Sequence, residues 1–192
     1  MSKLETNTID NISGSTTLTI GDSNTSTIAL KSGATLTNFP DNTPAFEAVL
    51  SSSTNPTNNT ETKIAFDSEV FDTDNCYDNT TNYRFTPTVA GKYYVYSNIM
   101  LQEEGATASQ VRTVSARIYK NGTGVKSVRS DFNANDVKQF SVYVDGIIDM
   151  NGTTDYLEIY GYVNTISGDN WEYTGPNDGQ RTYFGAYKLP GV

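Results

Sequence analysis

Between Lys92 and Leu101 the chain alternates strictly, with Tyr93, Val95, Ser97, Ile99 and Leu101 in one phase and Tyr94, Tyr96, Asn98 and Met100 in the other. A period of two is the repeat of an extended strand, whose successive side chains point to opposite faces of a sheet. The pattern recurs. Val114, Ala116 and Ile118 alternate with Ser115, Arg117 and Tyr119, and Phe140, Val142 and Val144 with Ser141, Tyr143 and Asp145. Leu157, Ile159, Gly161 and Val163 alternate with Glu158, Tyr160 and Tyr162, and Thr182–Leu189 closes the chain in the same rhythm. No ten-residue window carries the 3.6 period of a helix. The expected fold is therefore all-β, a sandwich of two antiparallel sheets built from residues 44–192. Asn121-Gly122 predicts a tight hairpin, Asp145-Gly146 and Asn151-Gly152 predict further turns, and Ala90-Gly91 leads into a strand.

Residues 1–40 read differently. They hold one aromatic, Phe39, and their apolar residues come as short pairs: Leu18 and Ile20, Ile28 and Leu30, then Leu36. Gly21-Asp22-Ser23-Asn24 and Lys31-Ser32-Gly33 lie between them as turns. Strands this short cannot offset their own ordering entropy. Either the segment is a disordered tail, or Leu18, Ile20, Ile28, Leu30 and Leu36 meet copies of themselves across a three-fold axis in a stalk. The second reading is preferred.

Composition removes many functions. Thr, Asn and Ser make up 63 of 192 residues, there is no histidine, and Cys76 is the only cysteine. Without histidine there is no Ser-His-Asp or Cys-His catalysis and no His-ligated zinc. One cysteine excludes an intrachain disulfide and a CxxC pair. The net charge of −9, with dispersed Lys and Arg, argues against nucleic acid. No apolar run approaches the roughly 18 residues of a membrane span. No basic and then apolar leader follows Met1, so the chain is expected to start there and to be made in a cytoplasm.

Residues 66–97 carry a family resemblance. Phe66, Asp72 and Tyr77 form an aromatic–acid–aromatic opening, followed by Phe85 one residue later than usual. Phe85-Thr86-Pro87-Thr88-Val89-Ala90-Gly91-Lys92-Tyr93 then ends in Gly91-x-Tyr93, with Val95 where a Phe is usual. This block resembles the signature of the C1q/TNF-like family. The segment around Ala45 and Phe46 resembles that family's first strand, Lys120-Asn121-Gly122 a hairpin it often carries, and Thr182–Leu189 its closing strand. The resemblance implies a ten-strand jelly roll that assembles as a homotrimer and binds rather than catalyses. Thr17–Asp22 and Leu30–Pro40 resemble segments of tail-fibre and other virion proteins of marine bacteriophages. Together these resemblances imply a short trimeric virion spike that joins other virion proteins through residues 1–40 and presents its head to a host-surface glycan or protein. A capsid head fibre or decoration protein that stabilises the shell, and a cellular C1q-like adhesion or coat module, are the alternatives.

Individual sites are sparse. Asp72-Thr73-Asp74 begins like a calcium loop, but Cys76, Tyr77 and Tyr83 stand where an EF-hand needs an oxygen ligand, Gly and Glu. Asp131, Asn133 and Asn135 offer oxygens at alternate positions, and three copies could complete a calcium site at a trimer apex. No other cofactor is expected. Asp155 and Glu158 are the type of pair glycosidases use, but residues three apart on a strand point to opposite faces. No catalytic residue is assigned, and the expected function is non-enzymatic. Trp171 and Tyr173 lie in the Gly/Asp/Asn-rich stretch Asn164–Gln180, where exposed rings would suit sugar or protein recognition. A buried hydrophobic plug is the competing reading. Tyr94, Tyr96, Tyr160 and Tyr162 are assigned to packing within a sheet or a trimer interface.

Overall fold

The computed structural model describes residues 42–103, 110–166, 171–176, 179 and 181–191. The chain divides into two units, Met1–Phe39 and Pro40–Val192, and the described residues belong to the second. The stalk residues Leu18, Ile20, Ile28, Leu30 and Leu36 lie outside the described residues.

Twelve strands follow one another among the described residues: β1 (Ala45–Val49), β2 (Thr62–Lys63), β3 (Ser68–Asp72), β4 (Tyr77–Asp78), β5 (Arg84–Phe85), β6 (Gly91–Glu103), β7 (Gln110–Lys120), β8 (Thr123–Asp136), β9 (Gln139–Met150), β10 (Leu157–Thr165), β11 (Trp171–Tyr173) and β12 (Tyr183–Lys188). They form two antiparallel sheets of six. In the first, β6 is the axis. It pairs with β9 along one edge, and on the other with β12 and then β11, while β1 and β3 continue outward from β12. In the second, β10 pairs with β7, which pairs with the edge strand β8, and the short β2 and β5 take the opposite side of β10. The short strands β2, β4, β5 and β11 raise the count above the ten implied by the resemblance.

The alternation sets which side chains enter the core. Tyr93, Val95, Ser97, Ile99 and Leu101 of β6 are all buried, as are Val114, Ala116 and Ile118 of β7 and Leu157, Ile159 and Val163 of β10. Between the sheets lies a ring cluster centred on Phe46. Its ring stacks on Tyr77 at 4.6 Å and Phe85 at 4.5 Å and meets Phe184 edge-on at 4.8 Å. Phe66 packs on Phe184 and Tyr93 on Phe85. The family-like spacing thus collects its aromatics into one packed group, each pair adding about 0.5–1.5 kcal/mol beyond area burial.

The acid of that spacing ties a loop. Asp72 Oδ2 accepts the Tyr77 backbone N–H at 2.8 Å, and the Tyr77 hydroxyl donates to the Phe66 carbonyl at 2.9 Å. Gly91 sits at φ +148°, a conformation that side-chain-bearing residues rarely adopt, and it opens β6 so that Tyr93 turns inward. Asn121 and Gly122, at φ 53° and 75°, make the predicted hairpin turn between β7 and β8. Asn151-Gly152 also turns, with Gly152 at φ 70°.

Asp145-Gly146 does not turn. β9 runs straight through it, with Gly146 opposite Val95. The phase set by Val142 and Val144 continues through the buried Ile148 and Met150, and burial along that face outweighs the dipeptide. The space a side chain would fill at Gly146 is taken by Lys126 of β8, whose Cε would lie 2.9 Å from a Cβ there.

Candidate functional site

The two outer faces of the sandwich have opposite chemistry. On the first sheet, the outward phase of β6 carries Tyr94 and Tyr96, that of β12 carries Tyr183 and Tyr187, and that of β9 carries Tyr143, Asp145 and Ile147. Glu47 of β1 and Phe71 of β3 lie opposite each other on the same face. The tyrosines form a connected patch: Tyr94 lies 5.9 Å from Tyr96 and 5.6 Å from Tyr187, and Tyr96 lies 6.1 Å from Tyr183. Ile147 is 56% exposed and Phe71 and Tyr143 are each 45% exposed, so the apolar surface is open to contact.

Gly185 makes the patch flat. A Cβ at that position would overlap the Tyr96 ring, so the glycine lets the ring lie across β12. The Tyr96 hydroxyl then donates to Glu47 Oε2 at 2.9 Å. The Tyr94 hydroxyl donates to Asp145 Oδ2 at 2.7 Å and lies 3.1 Å from the Tyr143 hydroxyl. These bonds with Tyr143 and Asp145 push the Tyr94 phenol above its ordinary value. Burial, then the bond to Glu47, does the same for Tyr96. Both rings therefore stay neutral well above pH 7 and hold the two carboxylates in place.

The outer face of the second sheet is closed by its own polar network. The Tyr119 hydroxyl donates to Glu61 Oε2 at 2.6 Å, and Glu61 also pairs with Arg117 at 3.1 Å. Lys63 pairs with Glu158 at 3.2 Å. The Tyr162 hydroxyl and the Asn164 carboxamide both donate to Asn59 Oδ1. Tyr160 packs on Tyr119 at 4.1 Å. A partner would have to compete with these bonds, whereas on the tyrosine face it would bury rings.

The residues nominated from sequence fall as follows. Trp171 and Tyr173 are not on a surface loop. They form β11, paired to Glu103 and Leu101 of β6, and are 2% and 3% exposed. Gly161 leaves the room that the Tyr173 ring occupies, and burial pushes that phenol up to about 12. The three-residue strand escapes a reading by composition because Gly, Asp and Asn surround it, yet both its aromatics share one phase and point inward. The buried-plug reading holds.

Asp131 and Asn133 lie on β8. The Asp131 carboxylate accepts from Arg129 at 2.9–3.2 Å and from the Thr113 hydroxyl at 2.7 Å, contacts that hold its pKa below the usual value. Its oxygens are thereby committed to a guanidinium. Asn133 sits at φ 50°. The backbone of Asn135 pairs with Val111, and its side chain lies outside the described residues. Among the described residues no group of three or more His, Cys, Asp or Glu side chains could hold a metal ion. Asp72 is a loop tie, and Phe66, Tyr77, Phe85 and Tyr93 are core.

Asp155 and Glu158 serve different partners. Asp155 binds Lys120 at 2.8 Å and Asn121 at 2.7 Å, while Glu158 faces Lys63. The sequence reading missed Glu47, Phe71, Tyr143, Asp145, Ile147, Tyr183 and Tyr187 as one surface. The signal was present: β3, β6, β9 and β12 carry aromatic or apolar residues in their outward phase, and only the pairing register joins them.

No family model matches the chain, and no curated protein matches it in sequence. Solved structures do match. Murine APRIL superposes with a TM-score of 0.53 at 13% identity, covering 76% of this chain and 98% of that one. The globular domain of zebrafish complement 1qA gives 0.48 at 16% identity, over 76% and 97%. Eiger TNF from S. frugiperda gives 0.49 at 12% identity, over 76% and 90%. At these identities the likeness concerns the fold, and the APRIL superposition carries it. The fold is the C1q/TNF-like jelly roll. Among the described residues no helix is long and apolar enough to cross a membrane.

Proposed function

We propose that the chain is a non-enzymatic trimeric virion protein, a short fibre or spike. Residues 1–40 attach it to the particle and extend the trimer, and the jelly-roll head binds the host surface. The tyrosine face is the observation that carries this reading. It is a contiguous aromatic patch on an otherwise polar chain, and such patches mark association surfaces. Its carboxylates, Glu47 and Asp145, already accept tyrosine hydroxyls, so they enter an interface with hydrogen bonds in place. The C1q/TNF-like fold supports three copies as the closed form. Three heads on one axis would convert weak contacts with a host surface into avidity.

The chain's own chemistry supports a binding role over catalysis. Histidine is absent, burial pushes the Cys76 thiol up, and Asp155 and Glu158 are held by separate cations, Lys120 and Lys63. The virion setting is supported by the likeness of Thr17–Asp22 and Leu30–Pro40 to phage fibre segments. Electron microscopy of purified particles, labelled with antibody raised against residues 42–191, tests it. Label at defined particle sites, with adsorption to host cells blocked, is expected. Unlabelled particles would contradict the virion role.

A further inference from the structure

We propose that the groove where the edge of β3 meets the β4–β5 pair binds a neutral saccharide unit, with Arg84 and Glu69 as its hydrogen-bonding poles. The groove has a volume of about 440 Å³, and polar atoms dominate its lining. That volume falls within the range of about 300–1,000 Å³ typical of small-ligand sites. The first sheet contributes Glu69, and the second contributes Asp78 and Arg84, with Asn79, Asn82 and Thr86 around them.

The walls are fixed before any ligand arrives. Asp78 accepts the backbone N–H groups of Thr80, Thr81 and Asn82 at 2.9–3.0 Å and the Asn82 carboxamide at 2.7 Å. Those bonds hold its carboxyl below the usual carboxylate range and leave it little capacity to bind anything else. Arg84 lies 4.5 Å over the Tyr156 ring, which orients the guanidinium. Although Asp78 is its direct cross-strand neighbour, no carboxylate among the described residues pairs with Arg84. The exposed carboxylate of Glu69 likewise has no hydrogen-bond partner among them. The groove lining thus includes the unpaired guanidinium of Arg84 and the unpaired carboxylate of Glu69, on a rigid frame.

Charge selects the ligand class. An anion facing Arg84 would also face Glu69 and Asp78, and a cation would face Arg84. A neutral polyol satisfies both poles, its hydroxyls accepting from the guanidinium and donating to Glu69. The proposal rests on the reading of the head as a host-binding module, but the groove is formed by one chain and does not need the trimer.

Saturation-transfer NMR on the full chain tests it, with the methyl glycosides of glucose, galactose, mannose and N-acetylglucosamine as probes and N-acetylneuraminic acid as the anionic comparison. At least one neutral glycoside should receive saturation, with affinity at least tenfold weaker in both Arg84→Gln and Glu69→Gln at unchanged melting midpoints. The proposal is overturned if no neutral glycoside responds, if the anionic sugar alone does, or if both variants bind like the parent. The mass of the same samples separates the two readings. Absent binding by an intact trimer removes the groove alone, and binding by a monomer removes the assembly alone.

Discussion

Gly185 shows how one missing side chain shapes a surface. The Tyr96 ring occupies the volume its Cβ would need, so Gly185→Ala must displace either the ring or β12. Overpacking of this type costs about 1–3 kcal/mol. Gly185→Ala is expected to lower the thermal midpoint and to weaken self-association as well, because Tyr96 loses its place beside Glu47. A variant with unchanged melting and unchanged mass would refute this role. Phe46 makes the complementary case inside the core. Three rings contact it within 5 Å, so Phe46→Ala should cost about 3–5 kcal/mol in denaturant unfolding. At this scale the sequence was largely readable. The aromatics at 66, 77, 85 and 93 were marked by spacing, and the structure supplies the reason, since the first three pack around Phe46 and Phe184 and Tyr93 packs on Phe85. Phe46 itself was visible only as part of a first strand, because its central place depends on contacts far apart in the chain.

Among elements, turns are fastened by carboxylates, and this gives the molecule an acid sensitivity. Asp155 joins two turns at once, accepting from Asn121 of the β7–β8 hairpin and from the Asn151 backbone N–H. Lys120 and then Asn121 hold its carboxyl below the ordinary value of 3.8. Asp78 is lowered chiefly by the Thr81 and Thr80 backbone N–H groups. A carboxyl lowered in the folded state contributes its stability above the ordinary value and loses it as pH falls through that value and below. Unfolding midpoints measured from pH 7 to pH 2 should therefore fall mainly below about pH 4. Asp155→Ala should flatten part of that decline and cost about 1–3 kcal/mol at pH 7. Long strands were legible here because burial repeats every second residue over ten positions. The three-residue β11 and the strand through Asp145-Gly146 were not, because local composition signals a turn where distant pairing with β6 decides otherwise.

For the whole molecule, what matters is the contrast between the two outer faces. One is bonded to itself through Glu61, Arg117, Lys63 and Glu158, and the other presents tyrosines with Ile147 and Phe71 exposed. Replacing Tyr187, 37% exposed on the tyrosine face, by Asp should shift the chain toward monomer while leaving the fold intact, as circular dichroism would report. The sequence predicted the sandwich and assigned Tyr94 and Tyr96 to packing or an interface. The surface itself was hidden because its members come from separate strands that only the register aligns. We propose that this face is where three copies of the head meet. Sedimentation equilibrium of the full chain at micromolar concentration tests it most directly. A mass three times the 21.0 kDa of one chain is expected, and a particle of a single chain's mass would overturn the trimer.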